Sequence, residues 1–176
     1  MKALAALNAT IPRMPTINDI LIHTLTGSKQ LLVRYCDDLK PDEYLHRPTP
    51  KSNCAAWLLG HLILTDRRIL ANYLGATDLP ALPDGFEKRF SRDEGSPQAN
   101  DFGDVTILLP LFIQTRDALV NRVMIATPEE LDRKIDPPHP RFKQVWDAVN
   151  FMGLHVAMHA GQITIIRRSL GRPPIV

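Results

Sequence analysis

Apolar residues recur at three- and four-residue steps in four separate stretches of this 176-residue chain, and no stretch of any length alternates as a strand does. Such a chain must bury four apolar helix faces against one another, which predicts an all-α four-helix bundle. The first stretch runs from about Ile17 to Leu39 through Ile20, Leu21, Thr24, Leu25, Leu31, Leu32 and Tyr35, with Pro15 and Thr16 before it and Pro41 after it. Proline lacks an N–H and clashes with the preceding turn, so it marks helix ends. The second runs from about Cys54 to Leu74, with Ser52 or Asn53 as N-cap and Gly75 as C-cap. The third runs from about Val105 to Ile125; it opens on the apolar run ILLPLFI, where Pro110 is placed to kink it. Thr127-Pro128-Glu129-Glu130 then reads as a cap and one short helical piece. The fourth runs from about Phe142 to Leu170 and stops at Gly171 and Pro173-Pro174. Arg167, Arg168 and Arg172 stand at its C-terminal end, where positive charge suits the helix dipole.

One connection is long. Residues Ala76 to Asp104 hold several Pro, Gly, Asp and Ser residues and little periodicity. A loop of that length can run back along a second helix of about 30 Å and start the third parallel to it. With the other long helices joined by shorter links, the expected topology is up-down-down-up with one crossover between helices 2 and 3, in a single domain spanning 1–176. The net charge of +2, from 21 basic and 19 acidic residues, speaks against nucleic acid and anionic membrane surfaces as partners. No run of about 20 apolar residues exists to span a membrane. The start, MKALAALNATIPRMP, is too short and interrupted for a signal peptide. Cys36 and Cys54 form no C-x-x-C and no disulfide framework, so a reducing cytoplasm is expected.

The fourth stretch contains His155-Val156-Ala157-Met158-His159. Two histidines four apart lie on one helix face, one turn above the other, and their rings can converge on one ion. Phe151, Gln162 and Ile166 continue that face, which is otherwise core-like, so the pair points inward. Alone, such a pair is equally explained by two histidines with ordinary partners. His61, in Trp57-Leu58-Leu59-Gly60-His61-Leu62, shifts the balance. It shares a face with Cys54, Trp57, Leu58, Thr65 and Ile69 and also points at the core. Each buried polar group needs its own partner, and one metal ion serves all three. Three neutral nitrogens leave a fourth position open, as in a catalytic rather than a structural zinc site. An ion so held can activate a water or a thiol; nickel, manganese or iron would accept imidazole as zinc does. Trp57, Thr65 and Gln162 are candidates for supporting the ligands or touching substrate, Gln162 by a hydrogen bond to a ligand one turn beyond His159. Gly60 leaves room for a close approach. Cys54, two turns before His61, is too far to share the ion and reads as a core thiol. His23, His46 and His139 join no constellation, and Asp66, rotated well off the His61 face, reads as solvated. The ILLPLFI run suits either a dimer face or plain core.

The segments N-C-A-A-W-L-L-G-H-L at Asn53–Leu62 and H-V-A-M-H-A-G-Q-I at His155–Ile163 resemble the DinB-like superfamily, as do the trailing R-R-S-L-G-R-P-P, Gly95-Ser96-Pro97 in the long loop and the order of elements. The resemblance covers nearly the whole chain. It implies a four-helix bundle with one divalent metal ion, zinc or nickel first among the candidates, on His61, His155 and His159. It also implies a homodimer acting on a small-molecule substrate. The superfamily includes S-transferases that use a low-molecular-weight thiol such as bacillithiol, mycothiol-dependent maleylpyruvate isomerases, proteins described as metal-dependent hydrolases, and others without a known activity. The expected activity is therefore metal-dependent S-transfer with a thiol cosubstrate; the alternatives are a metal-dependent hydrolase and a non-catalytic, stress-related metal-binding bundle.

Overall fold

A computed structural model describes residues 13–91, 102–173 and 175. Four long helices dominate: α1 (Ile17–Cys36), α2 (Ala55–Leu74), α4 (Leu108–Met124) and α6 (Val145–Ser169). Two short ones, α3 (Phe86–Phe90) and α5 (Pro128–Asp132), lie in the connections. The described residues form no strand, only an isolated antiparallel bridge between Lys134 and Gln144. Gly95-Ser96-Pro97 and Pro174 lie outside the described residues.

The helix ends follow local chemistry. Thr16 caps α1 with a capping box, its hydroxyl accepting from Asp19 N–H while the Asp19 carboxylate accepts from Thr16 N–H. Gly75 closes α2 in the left-handed conformation. The N-cap of α2 is Cys54, not Ser52 or Asn53, and its side chain makes no capping bond. Pro110 sits in the first turn of α4, where its missing N–H has no helical partner in any case, and the helix passes through it.

Pairwise contacts fix the directions. Asn18, at the start of α1, donates to the Val123 and Ala126 carbonyls at the end of α4 (2.8 and 2.9 Å), and Lys29 farther along pairs with Asp117. Those two helices are antiparallel. Thr24 lies against Gly153 and the Tyr35 carbonyl accepts from Arg167 at 3.0 Å, so α1 and α6 are parallel. Asp66 meets Arg116, and Leu74 O accepts from Arg122 Nε at 2.9 Å, so α2 and α4 are parallel. His61 meets His155 while Leu70 and Leu74 share a cluster with Val145 and Val149, so α2 and α6 are antiparallel. The order is up, down, down, up, with α1 diagonally opposite α2 and α4 opposite α6. Parallel α2 and α4 require a connection that travels their length. The α3 turn has done so: Phe90 packs on Gly60, fourteen residues back from Leu74, about 21 Å at 1.5 Å per residue.

The core divides into two apolar clusters. One holds Leu32, Trp57, Leu58, Phe112, Val156 and Ile163; the other holds Leu25, Leu70, Leu119, Val145 and Met152. Within ILLPLFI, Leu108, Leu111 and Phe112 are buried in the chain's own core, while Ile107 is exposed. Helix α2 is buried nearly all round, with fourteen of its twenty residues inaccessible.

Candidate metal centre

His61 comes from the middle of α2, and His155 and His159 from successive turns of α6. The antiparallel packing brings them together. The Nε2 atoms of His61 and His155 are 3.3 Å apart, those of His155 and His159 are 2.9 Å apart, and all three rings offer a nitrogen within 4.8 Å of the others. All three residues are buried. Nitrogens bound 2.0–2.1 Å from a common ion stand about 3.3–3.4 Å apart at a tetrahedral angle and about 2.8–3.0 Å apart at a right angle, so the spacing suits one shared cation.

The surroundings fix each ring. His159 Nδ1 lies 2.6 Å from Gln162 Oε1. A carbonyl oxygen only accepts, so Nδ1 carries the proton and Nε2 presents its lone pair to the other histidines. Trp57 lies flat on His61, with centroids 5.0 Å apart and planes 5° apart. Phe151 stacks on His155 at 5.6 Å. Thr65 turns away: its hydroxyl donates to the His61 and Leu62 carbonyls of its own helix. The Trp57 indole N–H is buried and has no hydrogen-bond partner among the described residues. Gly60, next to His61, is where the long connection docks. A Cβ there would lie 2.1 Å from the Phe90 ring, so only glycine lets α3 seat against α2.

Cys54 is buried, and burial pushes its thiol pKa up, which keeps it an uncharged core group. His46 bonds Ser169 Oγ at 2.9 Å, His139 stacks on Phe142, and His23 is exposed; none joins the triad. Two readings are corrected. Asp66 is wholly buried rather than solvated, and accepts from Arg116 Nε and a terminal nitrogen at 2.8 Å each. Burial pushes its carboxyl up to about 6, with Arg116 holding it back from a larger rise. Arg167 does more than compensate a dipole: it is buried, bonds Tyr35 O and forks onto Asp38, which Arg172 also grips at 2.7 Å.

A sequence model described as the DinB superfamily matches residues 24–163. No curated protein sequence matches the chain. Among solved structures, YfiT from Bacillus subtilis, described as a probable metal-dependent hydrolase with an unusual four-helix bundle topology, is similar at a TM-score of 0.64 and 15% identity. The match covers 92% of this chain and 93% of that one. At that identity the likeness speaks for the fold.

Proposed function

The chain belongs to the DinB superfamily, and from that premise we propose that it is a metal-dependent enzyme whose single divalent ion is held by His61, His155 and His159. The observation that carries the reading is the convergence of three buried Nε2 atoms from two helices, two of the distances being 3.3 and 2.9 Å. Three neutral imidazoles suit zinc or nickel first, and manganese or iron less well. When bound, such an ion supplies Lewis acidity that lowers the pKa of a coordinated nucleophile.

The chain's own residues set the stage for it. Gln162 holds His159 in the tautomer that offers Nε2. Trp57 and Phe151 brace the rings of His61 and His155 and keep water from their faces. We assign the nucleophile as a low-molecular-weight thiol and the reaction as S-transfer to a small electrophile; the family supports this and a homodimer. A hydrolytic reading is favoured by one observation, the description of YfiT as a probable metal-dependent hydrolase. Turnover of a model electrophile with glutathione, bacillithiol or mycothiol, with and without chelator, separates the two. Thiol-dependent, chelator-sensitive turnover supports S-transfer. Chelator-sensitive ester cleavage without a thiol requirement would replace it with hydrolysis. No helix among the described residues is long and apolar enough to cross a membrane.

A further inference from the structure

Between the two apolar clusters, at the centre of the bundle, lies a charged group that the proposed chemistry does not use. Asp66 on α2 and Arg116 on α4 are both wholly inaccessible and form a two-pronged ion pair at 2.8 Å. Two Arg116 terminal nitrogens also lie 3.4 Å from the Met152 carbonyl on α6, across the bundle's diagonal. One guanidinium therefore joins three of the four long helices. The fourth meets them at the same level: a Cβ on Gly153 would lie 2.4 Å from Thr24 of α1.

Stability alone does not explain such a group. Burying two charges is expensive, and a buried ion pair can often be replaced by well-packed apolar residues with no loss of stability. A planar fork with fixed partners does, however, discriminate between alignments that apolar packing tolerates. The alignment at stake is that of the triad. Met152 precedes His155 by three residues, about 4.5 Å along α6, and Asp66 follows His61 by five, about 7.5 Å along α2. A slip of one turn, about 5.4 Å, would carry His61 out of reach of its partners, whereas metal ligation tolerates only tenths of an ångström. We propose that Arg116, anchored by Asp66 and gripping the Met152 carbonyl, is a positioning residue that sets the register of α2 against α6 and so preforms the His61–His155–His159 site.

The inference rests on the reading of the triad as a metal site, so its test reads the register both with and without metal. Wild type, Asp66→Leu/Arg116→Met, Arg116→Lys and a core control, Leu119→Ala, are titrated with Co(II) and followed by visible absorption. In parallel, the metal-free proteins are examined for nuclear Overhauser contacts between the His61 and His155 rings, whose centroids are 5.1 Å apart. The apolar double variant should stay helical and cooperatively folded, bind Co(II) at least tenfold more weakly with shifted bands, and lose the ring contacts. Loss of supporting groups around metal ligands typically weakens affinity by about 10–100-fold. Arg116→Lys keeps the charge but not the fork and should fall between. Leu119→Ala should be less stable yet keep affinity, bands and contacts. A folded double variant with wild-type affinity, bands and ring contacts would overturn the proposal. Failure of both Arg116 variants to fold would also overturn it, making the pair a folding requirement. A wild-type protein that takes up no Co(II) would refute the metal reading instead, and the ring contacts would still decide the register.

Discussion

Replacing Gly60 with alanine should destabilise this protein, although alanine is the better helix former. An added Cβ would lie 2.1, 2.3 and 2.5 Å from three atoms of the Phe90 ring, against an ordinary carbon–carbon contact of about 3.5–4.0 Å. The ring must therefore retreat by more than about 1 Å. It has little room to do so, being 1% exposed and packed against Phe86 at 4.5 Å and Phe102 at 5.7 Å. Overpacking of that kind costs about 1–3 kcal/mol, and a displacement this large belongs at the upper end. Helix propensity returns about 1 kcal/mol. The net expectation is a loss of about 1–2 kcal/mol, or a fall in melting temperature of roughly 2–8 °C for a chain of this size. Urea or thermal denaturation measures it, and a double-mutant cycle assigns it. In a Phe90→Ala background the clash is gone, so Gly60→Ala should become neutral or stabilising. An equal penalty in both backgrounds, or a gain in the wild-type background, would refute the argument that α3 is keyed into α2 beside His61.

The remaining predictions use the same observations. Gly161→Ala, where an added Cβ meets nothing within 4 Å on an exposed turn of α6, should raise stability by about 0.5–1 kcal/mol in the same denaturation assay. Loading Ni(II) or Co(II) should quench Trp57, which lies flat on His61; Trp57→Phe should abolish the quench and Trp146→Phe should not, as fluorescence titration will show. The Arg167 guanidinium, aided by Arg172, holds the Asp38 carboxyl below its usual range, and Arg172 does the same for Glu43. Depressed carboxylates stabilise above their unfolded values of 3.8 and 4.5, and this stabilisation is lost as pH falls through the lower folded values. The denaturant midpoint should thus drop below about pH 4.5, and less steeply in Asp38→Asn/Glu43→Gln.

Much of this was legible in the residues themselves. The four long helices follow from three- and four-residue spacing, and the triad from His155 and His159 one turn apart plus an inward His61. The crossover follows from a connection too long for a turn. Asp66 escaped because the rotational argument assumes one buried face, whereas α2 is enclosed nearly all round. The signal was present: Ala55–Leu64 is apolar on every side, the mark of a fully buried helix. Arg116 was readable too, since Phe112, Arg116, Leu119 and Val123 share the apolar face of α4, and a charge there must find a buried counter-charge. Helix α3 gave less warning. Phe86 and Phe90 stand four apart in a segment rich in proline and glycine, and so short a helix depends on tertiary packing, here of Phe90 on Gly60 and Phe102. The N-cap of α2 moved to Cys54 because helix geometry begins where the backbone leaves its extended form, whatever side chain stands there.

The central claim, that three histidines from two helices hold one ion, is tested most directly by elemental analysis of the purified protein beside a His155→Ala/His159→Ala variant shown by circular dichroism to be folded. About one divalent ion per chain in the wild type, and none in the variant, is the predicted result. A wild-type protein that carries no ion after exposure to zinc, nickel and manganese, or a variant that retains the full complement, would contradict it.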